Sequence, residues 1–222
     1  MHVMIIPDGD RRYAQKKAIS NDEAYLKAAI IVRNLVMWVL LRPEVDEFTF
    51  FGLSYSNIIK RSEKDLDPIL KVQAETLNSF SEDNLFHDNG INVTIAGQKH
   101  LLPKYYLKSI LNVESSTKNY SNKKFNLLLG YSGKLDFESA IRTTLAKTDN
   151  ITYKKIIENC SVKTPIDFLV RTANENRISD GPFFLTGYTE FYSIKSFFPE
   201  LGKVDIDAAM KAYNLRNRTF GI

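Results

Sequence analysis

Short apolar runs recur along this chain and stop abruptly in charged or small polar residues, with helix-length stretches between them. Val3-Met-Ile-Ile6 runs into Asp8-Gly9-Asp10-Arg11-Arg12, and Asp167-Phe-Leu-Val170 runs into Arg171. Phe48-Thr-Phe-Phe-Gly-Leu53 meets Ser54, and Phe125-Asn-Leu-Leu-Leu129 meets Gly130. Near-continuous apolar runs of this length suit strands covered on both faces. Alternation with helices calls for right-handed crossovers, which leave the strands parallel and gather their carboxyl ends on one rim. The pattern predicts a single α/β domain over 1–222, with a mostly parallel central sheet of about six strands flanked by helices. Ligands of such sheets collect beyond the carboxyl ends of the strands. Asp8, Ser54, Gly130 and Arg171 all fall there.

Ile91-Asn-Val-Thr-Ile95 supplies another strand, and Glu190-Phe-Tyr-Ser-Ile194 the last. Ser20-Asn-Asp-Glu23 is a capping box that opens a helix over about 21–41, stopped by Pro43. Further helices are expected over about 63–80, 103–112, 135–146, 153–159 and 205–214, with the polar stretch 114–124 as a loop.

At 222 residues and 44% hydrophobic, the chain can bury one core. Its net charge of +4 fits anionic small molecules or a weak surface for membranes or nucleic acid and selects none of them, though its basic residues are too dispersed for a nucleic-acid arm. Cys160 is the single cysteine, which excludes an internal disulfide and fits a reducing compartment. The longest strictly apolar run, at 35–41, is far shorter than the ~20 residues that span a bilayer. No basic-then-apolar leader opens the sequence. The expectation is a cytoplasmic protein with no integral membrane segment and no nucleic-acid partner.

Two charged segments carry the chemistry. In Asp8-Gly9-Asp10-Arg11-Arg12, the glycine lets backbone amides approach an anion and the arginines can fork onto phosphate oxygens. An aspartate there repels a phosphate but suits Mg²⁺, which binds one or two carboxylates plus phosphate oxygens. In the second segment Arg171, Arg177 and Ser179 suit a diphosphate, and Glu190 is a candidate to complete a Mg²⁺ site with Asp8. Read singly, each segment is also compatible with a surface turn and local ion pairs. No GxxxxGK, GxGxxG or GxSxG pattern occurs, which argues against P-loop, Rossmann and hydrolase chemistry.

With these residues laid out, the chain resembles the cis-prenyltransferases, the family of undecaprenyl and dehydrodolichyl diphosphate synthases. The resemblance is carried by His2-Val-x-Ile-Ile-x-Asp8-Gly9-x-x-Arg12, Ser54-x-x-Asn57, Tyr131-x-Gly133 and Arg171-Thr-x-x-Glu-x-Arg177-Ile-Ser179. It continues through Tyr188-x-Glu190-x-Tyr192 and Arg218-x-Phe220-Gly221. It implies a Mg²⁺-dependent prenyltransferase in which Asp8 governs the metal and departure of an allylic diphosphate. Gly9, Asp10, Arg11 and Arg12 would surround that diphosphate. Arg171, Arg177 and Ser179 would hold a second prenyl diphosphate, with Glu190 as a further metal ligand. Asn57 and Ser54 would shape the reacting end and assist proton loss, and Arg218 would reach the site of a partner subunit in a homodimer.

Several positions depart from that family. Asp10 replaces the usual asparagine, Ala173-Asn174 a Gly-Gly pair, Ile58 an aromatic residue, and Asn21 and Tyr25 an arginine and a histidine. Pro7-Asp8-Gly9-x-Arg11-Arg12, Ile19-Ser20-x-Asp22-x-x-Tyr25 and Pro165-x-Asp167-Phe168-Leu169 are similar to an irregular bacterial subset that includes cyclolavandulyl diphosphate synthase. The leading expectation is condensation of a short allylic diphosphate, dimethylallyl or geranyl, with a second prenyl diphosphate in a head-to-middle manner. The alternatives are a regular cis-elongating synthase using isopentenyl diphosphate, and a noncatalytic partner subunit of such an enzyme.

Overall fold

Six strands, β1 (His2–Ile6), β2 (Glu47–Ser54), β3 (Ile91–Ala96), β4 (Lys123–Tyr131), β5 (Phe168–Arg171) and β6 (Glu190–Ser193), form one sheet. Their order is β3-β4-β2-β1-β5-β6 and every pair is parallel. This computed structural model describes residues 1–216. The helices are α1 (Asp10–Lys17), α2 (Asn21–Leu35), α3 (Tyr55–Lys60), α4 (Glu63–Glu82), α5 (Asn84–Asp88), α6 (Lys104–Thr117), α7 (Gly133–Leu145), α8 (Tyr153–Ile157) and α9 (Lys203–Asn214).

Alternation along β1 divides the core into two layers. Val3 and Ile5 face a large apolar cluster built with α2, α4, α6 and α9, including Leu35, Leu77, Ile110 and Met210. Met4 and Ile6 face a smaller cluster with Ala140 of α7, Ile157 of α8, Cys160 and Phe184. Cys160 is buried among apolar side chains, and burial pushes its thiol up to about 12. In the larger layer Phe125 stacks on Phe48 at 5.2 Å, with Phe80 and Phe86 each 6.2 Å away.

This arrangement fixes where a ligand can sit. After β1 the chain passes through α1 and α2 to β2 on one side, whereas after β5 it leads to β6 on the other. Adjacent strands whose onward connections diverge leave a crevice between them at their carboxyl ends. That crevice lies between β1 and β5, where Ile6 is level with Arg171.

The helices depart from the sequence pattern at several places, and the short α3 and α5 were not expected. The stretch 10–17 is a helix, α1, whose charged sequence masked it. The expected loop 114–124 shrinks to 118–122, because α6 continues to Thr117 and β4 starts at Lys123. Polar side chains at the end of α6 serve the edge strand β3, whose outer amides have no neighbouring strand. Thr117 Oγ1 accepts from Val93 N at 3.1 Å, and Glu114 Oε1 accepts from Ile95 N at 2.9 Å. Covering an open edge in this way protects it from pairing with other chains. The helix opening at Ser20 has its capping box and reaches Leu40 through a wider π-helical turn, Val36–Leu40.

Phe125→Ala should leave a cavity at the centre of the larger layer and cost about 3–5 kcal/mol of stability. Urea denaturation measures this, and a loss below about 1 kcal/mol would contradict the packing described.

Candidate active site

Asp8 lies two residues beyond the end of β1 and meets the end of β5 across the crevice. Its Oδ2 accepts from Arg171 at 2.8 Å and from Arg177 at 3.3 Å, and its Oδ1 accepts from Arg12 at 3.1 Å. Arg12 also pairs with Glu175 at 3.1 Å, and Glu175 pairs with Arg177. Asp8, Arg12, Glu175 and Arg177 thus close a ring of alternating charge, and Arg171 joins it through Asp8. Burial alone would raise the Asp8 carboxyl, but hydrogen bonds and charge from Arg171 and then Arg12 hold it below its ordinary value. Arg171 is 5% exposed and also donates to Ser179 Oγ at 2.8 Å and to the Arg177 carbonyl.

The backbone is fixed as firmly as the charges. Thr172 Oγ1 accepts from Asp8 N at 2.7 Å and donates to Asp8 O at 2.9 Å. Gly9 has φ 104°, and a Cβ there would lie 2.6 Å from the Phe197 ring. Glycine is therefore required on two counts, conformation and space. The Gly130-Tyr-Ser-Gly133 turn, which reads as structural in the sequence, holds the loop bearing Ser179. Gly133 N donates to Asp180 O at 2.8 Å and Ser132 Oγ to Asp180 Oδ2 at 2.6 Å.

These polar groups stand at the mouth of a cavity of about 430 Å³. Its polar lining includes Asp8, Gly9, Asp10, Arg11, Arg12, Ser54, Asn57, Arg171, Arg177 and Ser179. Deeper in, α2 contributes Ala28 and Val32, and α4 contributes Ile69, Leu77 and Phe80. Tyr106 OH donates to Gln73 Oε1 at 2.9 Å, and Gln73 Nε2 donates to Gly52 O at 3.1 Å. This polar tie spans the apolar part, using a carbonyl at the β-bulge between Phe51 and Leu53. The cavity can take an anionic head and an apolar tail in one ligand.

Most of the residues expected from the sequence meet here. Ser54 Oγ caps α3 by accepting from Asn57 N at 3.1 Å, and both residues line the cavity wall. Glu190 is different. It opens β6 opposite Phe168, three residue steps before Arg171 and so roughly 10 Å down the sheet. Its carboxylate pairs with Arg216. Within the described residues Glu190 is therefore not brought to Asp8. Arg218 lies outside the described residues. Thr172, Arg61, Gln73 and Tyr106 were not evident as site residues, because their roles depend on contacts distant in sequence.

Asp10 carries the most telling local chemistry. It starts α1 and lines the cavity, and its buried Oδ1 has no hydrogen-bond partner among the described residues. Burial, with the nearby charge of Asp8, pushes its carboxyl up to about 6, and Arg61 offsets this in part. A divalent cation fits such a donor set. Asp10 offers a free oxygen, Asp8 a carboxylate, and the arginines a place for phosphate oxygens.

Comparison with known proteins agrees with this geometry. The family model described as "Putative undecaprenyl diphosphate synthase" matches residues 6–221. The chain is 33% identical to the geranylgeranyl-diphosphate-specific tritrans,polycis-undecaprenyl-diphosphate synthase of Pyrobaculum aerophilum, over 99% of this chain and 95% of the relative. It is 30% identical to the Thermoplasma acidophilum enzyme of the same description, over 99% of this chain and 88% of that one. Among solved structures, lavandulyl diphosphate synthase from Lavandula x intermedia, in complex with dimethylallyl diphosphate, superposes with a TM-score of 0.92. It is 26% identical, with 100% of this chain and 98% of that chain covered. A Campylobacter jejuni protein described as a probable undecaprenyl diphosphate synthase shares the fold at a TM-score of 0.77, 22% identity and the same coverage.

The Asp10 carboxyl makes stability depend on pH in a defined direction. Between its ordinary value of about 4 and the raised value of about 6, the folded chain holds a proton that the unfolded chain has lost. Stability from this group is therefore full below pH ~4 and is lost as pH rises through ~6. With metal chelated, Asp10→Asn should gain on wild type as pH rises, its advantage being larger at pH 7.5 than at pH 4.5 by on the order of 1–3 kcal/mol. Urea denaturation at the two pH values checks this, and the same difference at both would contradict it.

Proposed function

The chain belongs to the undecaprenyl diphosphate synthase family, and from that premise we propose that it joins a short allylic diphosphate to a second prenyl diphosphate, releasing diphosphate. The observation that carries this reading is the continuity of the cavity, with three arginines and Asp8 at its mouth and apolar side chains in its depth. Mg²⁺ is the proposed cofactor, held by Asp8 with phosphate oxygens. When bound, it offsets charge on the departing diphosphate.

The residues of the chain account for the remaining steps. Gly9 and the start of α1 bring backbone amides to the donor diphosphate, and Arg11 and Arg12 add positive charge. Arg171, Arg177 and Ser179 hold the second diphosphate. The allylic C–O bond then breaks with its electron pair leaving on the diphosphate, and the double bond of the second substrate attacks the cation. Preorganised guanidinium groups favour the charge that develops as that bond opens. The carbon beside the new bond then gives up a proton to the released diphosphate, its C–H electron pair forming the new double bond, with Asn57 and Ser54 shaping the wall and assisting that loss. A homodimer working in the cytoplasm, without nucleic acid, completes the reading; edge strand β6, with Phe191 45% exposed, suits contact with a second copy.

The preferred substrate is dimethylallyl or geranyl diphosphate, joined head-to-middle. The close fit to the dimethylallyl-bound lavandulyl synthase supports this, as does a cavity near the small end of the roughly 300–1,000 Å³ range for small-ligand sites. A second reading, regular cis-elongation with isopentenyl diphosphate, is favoured by the identity to archaeal polycis synthases. Mass spectrometry separates them. Condensed product from dimethylallyl diphosphate alone supports the branched reaction, whereas turnover only after adding isopentenyl diphosphate supports elongation.

Asp8→Ala should lower kcat/KM by at least about 100-fold while circular dichroism still shows a folded protein. Wild-type rates from a folded Asp8→Ala protein would overturn the assignment.

A further inference from the structure

We propose that Asp10 is itself a ligand of the divalent cation, so that the Asp8-Gly9-Asp10 turn supplies two carboxylates from one chain. The inference rests on the Mg²⁺ reading above and adds a residue to it. Two buried polar atoms at this cavity lack hydrogen-bond partners among the described residues, Asp10 Oδ1 and Arg171 Nε. They are of opposite kind. An orphan carboxylate oxygen needs a cation or a donor, and an orphan guanidinium N–H in a side chain only 5% exposed needs an acceptor, which a phosphate oxygen can be. A metal ion with its diphosphate supplies both at once.

The local geometry points the same way. The left-handed φ of Gly9 turns the chain sharply between Asp8 and the first residue of α1. Asp8 and Asp10 are separated by that one glycine and line the same cavity. Arg61 lines it too, but no hydrogen bond or ion pair joins it to Asp10 among the described residues. Asp8 has three arginine partners, whereas the buried Oδ1 of Asp10 has none among the described residues, and a buried carboxylate oxygen is costly without a partner. Mg²⁺ with one or two carboxylates and phosphate oxygens supplies one in the coordination it prefers. Glu190, the other carboxylate considered for this ion, is engaged by Arg216 at the far end of β6.

The test uses Mn²⁺ as a spectroscopic probe and inorganic pyrophosphate as the anion, with affinities read by electron paramagnetic resonance and calorimetry. Wild type should bind Mn²⁺ in the presence of pyrophosphate, and Asp10→Asn should weaken that binding at least about tenfold. Without metal the sign should reverse, because removing a like charge tightens pyrophosphate binding to Asp10→Asn. Damage to the fold does not produce opposite signs. Asp10→Glu keeps the charge but moves the oxygens, so Mn²⁺ should again bind more weakly. Wild-type Mn²⁺ affinity in Asp10→Asn would overturn the ligand role, and wild-type affinity in Asp10→Glu would reduce Asp10 to a source of charge and overturn it equally. If wild type itself bound no Mn²⁺ with pyrophosphate, the Mg²⁺ reading would fall first and this inference with it.

Discussion

The contact between Asp8 and Arg171, 2.8 Å across the gap between β1 and β5, is the constraint on which the rest of the site depends. It joins residues 163 apart in sequence at the place where the sheet's connections diverge. Burying an arginine is unfavourable unless its charge is met, and here a carboxylate, a hydroxyl and a backbone carbonyl meet it. The same arginine has one N–H without a partner among the described residues. Arg171 is therefore held in place by its partners and can still donate to an anion. Glu175 links Arg12 to Arg177, and across these three arginines and two carboxylates one guanidinium charge is in excess.

Much of this was legible in the sequence because it is local. Apolar runs that end in charge mark the strands and their carboxyl rims, and Ser20 with Glu23 marks the start of α2. What stayed hidden depends on distant partners. The polar end of α6 reads as a loop until β3 is seen to be an edge whose amides need acceptors. Glu190 reads as a companion of Asp8 because both sit in charged motifs, but motif order says nothing about which end of a strand a side chain occupies. The pairing of Phe168 with Glu190 settles that point.

The loop after β5 shows how departures from a family pattern can be absorbed. Ala173 and Asn174 have φ of 64° and 57°, and Ser179 and Asp180 have 46° and 61°. Non-glycine residues in this region are strained, by roughly 1–2 kcal/mol for a residue with a Cβ. The surroundings overrule that cost. Ala173 N donates to Ser196 O at 2.8 Å and Asn174 N to Ile194 O at 2.9 Å, tying the loop to the segment after β6. The backbone shape that glycines would give freely is kept by contacts instead, and Arg177 and Ser179 stay beside Asp8.

A crystal structure with Mg²⁺ and a sulfur-bridged, non-ionising analogue of dimethylallyl diphosphate tests the central claim most directly. The account predicts the diphosphate over Gly9 in the β1–β5 crevice, within reach of Asp8, Arg12 and Arg171, with its tail between α2 and α4. A diphosphate bound elsewhere, with that crevice still closed by the Asp8–Arg171 contact alone, would contradict it.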